Sequence, residues 1–153
     1  MSSPVVSQAV LADLDPLARL FDSYRQFQGR PSDVPAAREF LRARFEHGES
    51  VIFLGRIDGQ ALGFAQLYPT FSSVGLARVY VLNDLFVDER ARRRHVAASL
   101  LDAIEDYARS MGAVRMTLNV ARANPAAQAL YQARGWQQDE HFFMFHRYPQ
   151  DPA

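Results

Sequence analysis

The chain has 153 residues, 48% of them apolar and 22% charged, which fits one compact globular domain over 1–153 and excludes a disordered chain. Its formal net charge is zero, so no general attraction to nucleic acid or to a membrane surface is expected. There is no Cys, which rules out disulfides, thiolate catalysis and thiolate metal sites, and every basic residue is Arg.

Leu14, Leu17, Leu20, Phe21, Tyr24 and Phe27 recur at helical spacing, which predicts a helix over 13–28 with Asp13 as its N-cap. A second helix is expected from about Pro35 to His47, burying Phe40, Leu41 and Phe45 and closed by Gly48. Strands Val51 to Ile57 and Leu62 to Tyr68 flank Asp58-Gly59, a strong hairpin signal. Pro69 to Gly75 reads as a polar turn, and Val79 to Val87 as a third long strand. A helix over about 94–111 carries Val96, Leu100, Ile104, Tyr107 and Met111 on one stripe before Gly112. Val114 to Val120 alternates as a strand, and Asn124-Pro125 opens a helix that Gly135 ends. His141 to Tyr148 is aromatic-rich and reads as a last strand that completes the sheet or pairs with a second subunit. The order describes an α/β layered sheet with helices on both faces. No apolar run approaches a membrane span and no signal peptide is read, so a cytoplasmic location is the expectation.

Three segments carry chemistry. Asp84 interrupts an apolar strand, where an ionised carboxylate is costly unless paired. It is either a structural residue at a β-bulge or a general base, and Asn83 beside it either orients a water or satisfies backbone groups. Next, Arg90, Arg92, Arg93 and Arg94 fall within five residues at a helix start. The unpaired N–H groups there and the guanidinium forks suit pyrophosphate, and a bound anion relieves repulsion between the arginines and the helix dipole. A solvated arginine cluster is the other reading. Finally, Tyr131 lies seven residues past Asn124, so both point the same way on one helix. A Tyr hydroxyl there can protonate a leaving thiolate or simply pack beside Leu130 and Trp136. The four histidines show no metal-ligand spacing.

Together, LNDLFV, the Arg-x-x-x-x-Ala turn at Arg92 to Ala97, and ANPAAQALYQARGW from Ala123 to Trp136 resemble the GNAT N-acetyltransferases, from about Leu62 to Trp136. Within that family, LGFAQLYPTFSSVGLARVYVLNDLFV is similar to the spermidine/spermine and thialysine acetyltransferase branch, where Glu-Asp stands at the position of Asn83-Asp84. The resemblance implies a mixed, mostly antiparallel sheet with a splayed strand pair. It also implies an acetyl-CoA-dependent acyltransferase, with no metal, acting directly on the primary amine of a polyamine- or amino-acid-like small molecule. Leu85, Phe86 and Val87 would bond the pantetheine arm, and Arg92, Arg93, Arg94, His95, Val96, Ala97 and Ala98 would cradle the pyrophosphate. Asn124 would contact the cofactor and Tyr131 would protonate the thiolate; with Asn83 in place of the family's glutamate, the amine proton goes either to Asp84 through a water or to no side chain at all. The oxyanion would rest on a strand N–H near Leu85.

His95 occupies the place of the family's first turn glycine: if the position needs a positive φ, His95 is strained or the loop differs, and if it needs a helical φ, His95 is harmless and adds a donor. Phe21, Tyr24, Phe27, Tyr68 and Phe71 are candidates to wall the acceptor pocket, and a homodimer is implied by the same resemblance. The alternatives are a non-catalytic acyl-CoA-binding module, kept open by Asn83 and His95, and an acetyltransferase of protein lysines or N-termini.

Overall fold

The computed structural model describes residues 2–150, and the chain falls into two compact units, 1–119 and 120–153. The first unit is a five-stranded sheet in the order β1-β2-β3-β4-β5. The strands are β1 (Val5–Gln8), β2 (Val51–Ile57), β3 (Gln60–Ser72), β4 (Ala77–Val87) and β5 (Arg115–Leu118). The first four pair antiparallel, and β5 joins β4 in parallel after a helical crossover. Helices α1 (Leu14–Phe27) and α2 (Val34–His47) cover one face, and α3 (Val96–Ser110) covers the other.

The hairpin forms where expected. Asp58 (φ +51°) and Gly59 (φ +80°) are both left-handed, as a two-residue primed turn requires. β1 is absent from the expected elements; it is four residues long and gains order by pairing with β2. β3 also runs through Pro69 to Ser72, a stretch expected to be a turn. Beyond Leu67 it has β4 alone as neighbour, so the missing proline N–H falls on the open side.

Leu17 and Leu41 from α1 and α2 pack with Ile52, Leu54 and Phe64. On the opposite face Leu100, Leu101 and Ile104 are fully buried. Two positions expected to be buried are exposed: Phe40, whose ring touches Phe21 of α1 edge to face at 5.8 Å but keeps 40% of its surface, and Met111, which falls past the end of α3. Asp13 stands at the N-cap of α1 but makes no cap bond to it; its carboxylate accepts from Val10 N–H and pairs with Arg56 at 2.7 Å. Buried Asp22 ties the α1–α2 connection together by accepting from Gln26, the Ser32 hydroxyl and the Asp33 N–H at 2.7–2.9 Å.

Gly55 and Gly63 face each other across β2 and β3, and α3 sits over them. A Cβ on Gly63 would meet Val96 Cγ1 at 2.7 Å and Leu100 Cδ1 and the Phe86 carbonyl at 3.2 Å. The pair therefore sets how closely the first turn of α3 approaches the sheet. Gly63→Ala is expected to cost about 2 kcal/mol by overpacking, lowering Tm by roughly 4–8 °C for a chain of this size; a calorimetric scan checks it.

In the second unit α4 (Pro125–Ala133) starts from Asn124, whose Oδ1 accepts from the Ala127 N–H at 3.1 Å. Residues 137–150 form no strand, contrary to the strand expected over His141 to Tyr148. Asp139 turns the chain there by accepting from the N–H groups of His141 and Phe142, and Phe142, Phe143 and Phe145 are exposed.

Candidate active site

The site in the first unit follows from one extra residue in β4. Gln66 pairs with Asp84 and Leu67 with Leu82, so Asn83 is a bulge. The bulge inverts which face each side chain takes. Tyr80 packs on Tyr107 of α3 with ring centres 5.5 Å apart, whereas Phe86, also even-numbered, packs on Tyr24 of α1 at 5.7 Å. Asp84 is thereby turned toward the α1 and α2 face, and Asn83 is left exposed.

Asp84 is only 7% exposed. Its Oδ2 accepts from Gln66 Nε2 at 2.8 Å and from Asn83 Nδ2 at 3.1 Å. Both donors are neutral amides, and none of the ion pairs among the described residues includes Asp84. Asp84 is thus a carboxylate beside the bulge, held by side-chain amides and with acceptor capacity left over. Tyr68 lies within its field. Burial pushes the Tyr68 phenol up, the Asp84 charge adds to that, and Arg44 opposes it, so the hydroxyl stays protonated through neutral pH.

Beyond Leu82, β4 has no partner on its β5 side among the described strands, because β5 ends at Leu118. This is the expected splay. The Asp88 N–H donates to the Leu62 carbonyl at 2.7 Å. By strand alternation the backbone groups of Phe86 also face β3, while those of Leu85 and Val87 face the open edge. Leu85 and Val87 can therefore bond an extended ligand as an added strand would. Phe86 contributes its ring instead, packed against Phe64, Tyr24 and Phe27.

At the end of β4 the chain makes a short 3-10 turn over Glu89–Ala91 and enters α3 through Arg92 to His95. Arg90 grips Asp88 in a two-pronged pair at 2.9 and 3.1 Å, which holds the Asp88 carboxyl below the usual range. Arg90 is thus neutralised, and Arg92, Arg93 and Arg94 have no carboxylate partner among the described residues. Arg92 stands 5.5 Å over the Phe27 ring, and Arg94 Nε is buried with no partner among the described residues.

Arg93 (φ +66°) and His95 (φ +64°) are both left-handed, so His95 adopts the backbone form that a glycine would take without strain. The positive φ answers the question left open for this position. These turns and the first N–H groups of α3 line a cavity of about 410 Å³ bounded by Val87, Ala91, Arg92, Arg93, His95, Val96, Ala97 and Ala98. A concavity of N–H groups with exposed arginines at its rim suits a pyrophosphate. His95→Gly is expected to raise stability by up to about 1 kcal/mol, and His95→Val to lower it by about 1–2 kcal/mol. Tm measured on both variants checks the strain.

Of the aromatic candidates, Phe21 is buried in the core, Tyr24 and Tyr68 are half-buried, and Phe27 is exposed beside Arg92. Phe71 does not join them; it is exposed and lines a separate cavity with Met111 and Gly112. Gln66 was missed by the sequence reading. Its signal was a polar residue inside the apolar run Leu62 to Tyr68.

In the second unit, Tyr131 lies on α4 with its ring 5.7 Å from that of Trp136, edge to face. Burial raises its phenol above the ordinary value. Asn124 spends its carbonyl oxygen on the cap of α4.

The family model described as "Acetyltransferase (GNAT) family" matches residues 15–136. The chain is 44% identical over 137 residues to the uncharacterized N-acetyltransferase YhfO of Bacillus subtilis, spanning 90% of this chain and 92% of that protein. It is 30% identical over 100 residues to an aminoglycoside N(6')-acetyltransferase type 1 of Klebsiella aerogenes, covering 64% of this chain and 66% of that protein. A crystal structure of a probable acetyltransferase superposes with a TM-score of 0.91 at 42% identity, covering 97% of this chain and 99% of that one. The bulged and splayed β4, the arginine turn opening α3 and these relatives agree: the chain belongs to the GNAT acetyltransferase family.

Proposed function

We propose that the protein transfers an acetyl group from acetyl-CoA directly to a primary amine of a small molecule. The observation that carries the reading is the placement of Asp84, a buried carboxylate with no cationic partner among the described residues, one residue before the open edge of β4. A cationic amine entering there meets a group able to take its proton, and beside it an edge N–H able to hold an oxyanion.

Acetyl-CoA fits this part of the molecule. Leu85 and Val87 offer edge backbone groups to its amide-rich arm, and the turn of Arg92 to Ala98 offers N–H groups and guanidinium charge to its phosphates. Asp84, through a water, takes a proton from the amine, whose nitrogen then attacks the thioester carbonyl carbon. The Leu85 N–H accommodates the oxyanion that forms. Collapse expels the CoA thiolate and the second nitrogen proton leaves to water; Tyr131, whose phenol burial keeps protonated at neutral pH, gives the thiolate a proton and is reprotonated from water. The chain has no Cys, so transfer needs no thiol acyl-enzyme.

The small-molecule acceptor is supported by likeness to aminoglycoside acetyltransferases. Polyamine- and amino-acid-like amines belong to the same proposed class, and a homodimer is proposed on the family resemblance. Thiol release from acetyl-CoA, followed over kanamycin, spermidine, lysine and an alanine-initiated peptide, tests the class. Turnover on a small amine at least about tenfold above the peptide in kcat/KM is expected. Preference for the peptide overturns the small-molecule assignment.

A further inference from the structure

We infer that Gln66 is a positioning residue for the acceptor-side proton transfer: its amide, opposite the β4 bulge, fixes the carboxylate of Asp84. The inference rests on the proposed role of Asp84. Gln66 is fully buried in the middle of β3, where an amide side chain is costly unless all its polar atoms are paired. Only half of that requirement is met. Nε2 donates to Asp84 Oδ2 at 2.8 Å, while Oε1 is buried with no donor among the described residues. A glutamine retained for stability would have both ends satisfied, since an unpaired buried carbonyl is destabilising. An apolar residue of the same length would fill the site without that cost. What Gln66 has that such a residue lacks is one N–H aimed at one carboxylate oxygen.

The geometry shows why that N–H is useful. Gln66 and Asp84 are cross-strand partners immediately before the register shift, so the bond spans the point where β4 changes face. Asn83, the other donor, is exposed and belongs to the bulge itself. Gln66 is thus the rigid one of the two, planted on a central strand with β2 and β4 on either side. Its N–H fixes Oδ2 and so the plane of the carboxylate. The other carboxylate oxygen is left for the proton.

The test is a double-mutant cycle on the full chain, with Gln66→Met, Asp84→Asn and the double variant. It is assayed by thiol release with acetyl-CoA and the fastest of kanamycin, spermidine, lysine and the alanine-initiated peptide. Q66M is expected to lower kcat about 10- to 100-fold with KM for acetyl-CoA unchanged and Tm held or raised. Adding Q66M to D84N is expected to change kcat by no more than about twofold, because the two act as a unit. If D84N is impaired but Q66M keeps wild-type kcat, if Q66M raises KM for acetyl-CoA instead of lowering kcat, or if the losses simply add, the role of Gln66 is overturned while that of Asp84 stands. If D84N itself keeps full activity, the base assignment falls first and this inference with it.

Discussion

Asp84→Asn is expected to lower kcat for acetyl transfer by about 10²- to 10⁴-fold, the range of a positioned general base. The substitution keeps the shape of the side chain. An amide oxygen at the same place still accepts from Gln66 or Asn83, so the cost in stability should stay near 1 kcal/mol. KM for acetyl-CoA should remain within about twofold, because in the proposed arrangement the phosphates and the arm are held by Arg92 to Ala98 and by the β4 edge. Loss of folding would instead show as a fall in Tm, and loss of donor binding as a raised KM. The pattern that supports the base role is a fall in kcat alone, and steady-state rates with a parallel thermal melt distinguish the three.

Tyr131→Phe is expected to lower kcat about 10²-fold while leaving the α4 packing intact, since the ring contact with Trp136 needs no hydroxyl. The sign of the pH dependence follows from burial. The phenol of Tyr131 is pushed above its ordinary value near 10, so the proton donor is present throughout neutral pH. Its loss should appear in wild type only as a basic limb of kcat above about pH 10. That limb should vanish in the Phe variant. An undiminished kcat in Y131F removes the acid assignment and leaves the rest of the scheme standing.

Much of this was legible in the sequence, and the exceptions have physical causes. The helix over 14–27 and the Asp58-Gly59 hairpin were readable because their signals are local: a 3.6-residue period, and a turn that needs two positive φ values. β1 and the continuation of β3 through Pro69 depend on partners elsewhere in the chain, and a four-residue strand has no period to read. The aromatic run His141 to Tyr148 shows the opposite case, where strand-like composition forms no strand among the described residues.

At the site, Asp84 and the arginine turn stood out because charge is conspicuous in apolar surroundings. The bulge that aims Asp84 could be suspected but not located, since register is a property of two strands together. Gln66 passed unnoticed for the same reason. Its importance lies in the one residue opposite it, and a polar residue inside an apolar run does not by itself say which residue that is. His95 was readable as unusual, and the structure supplies the reason: the turn needs a left-handed residue there, and an imidazole-bearing residue occupies it at φ +64°.

The central claim is direct transfer of acetyl from acetyl-CoA to a small amine within one ternary complex. It is tested by initial rates over a grid of acetyl-CoA and amine concentrations, with CoA thiol and N-acetylated product both quantified. Intersecting reciprocal lines with one thiol released per acetylated amine are the expected result. Parallel lines, or thiol released without acetylated amine, would contradict it.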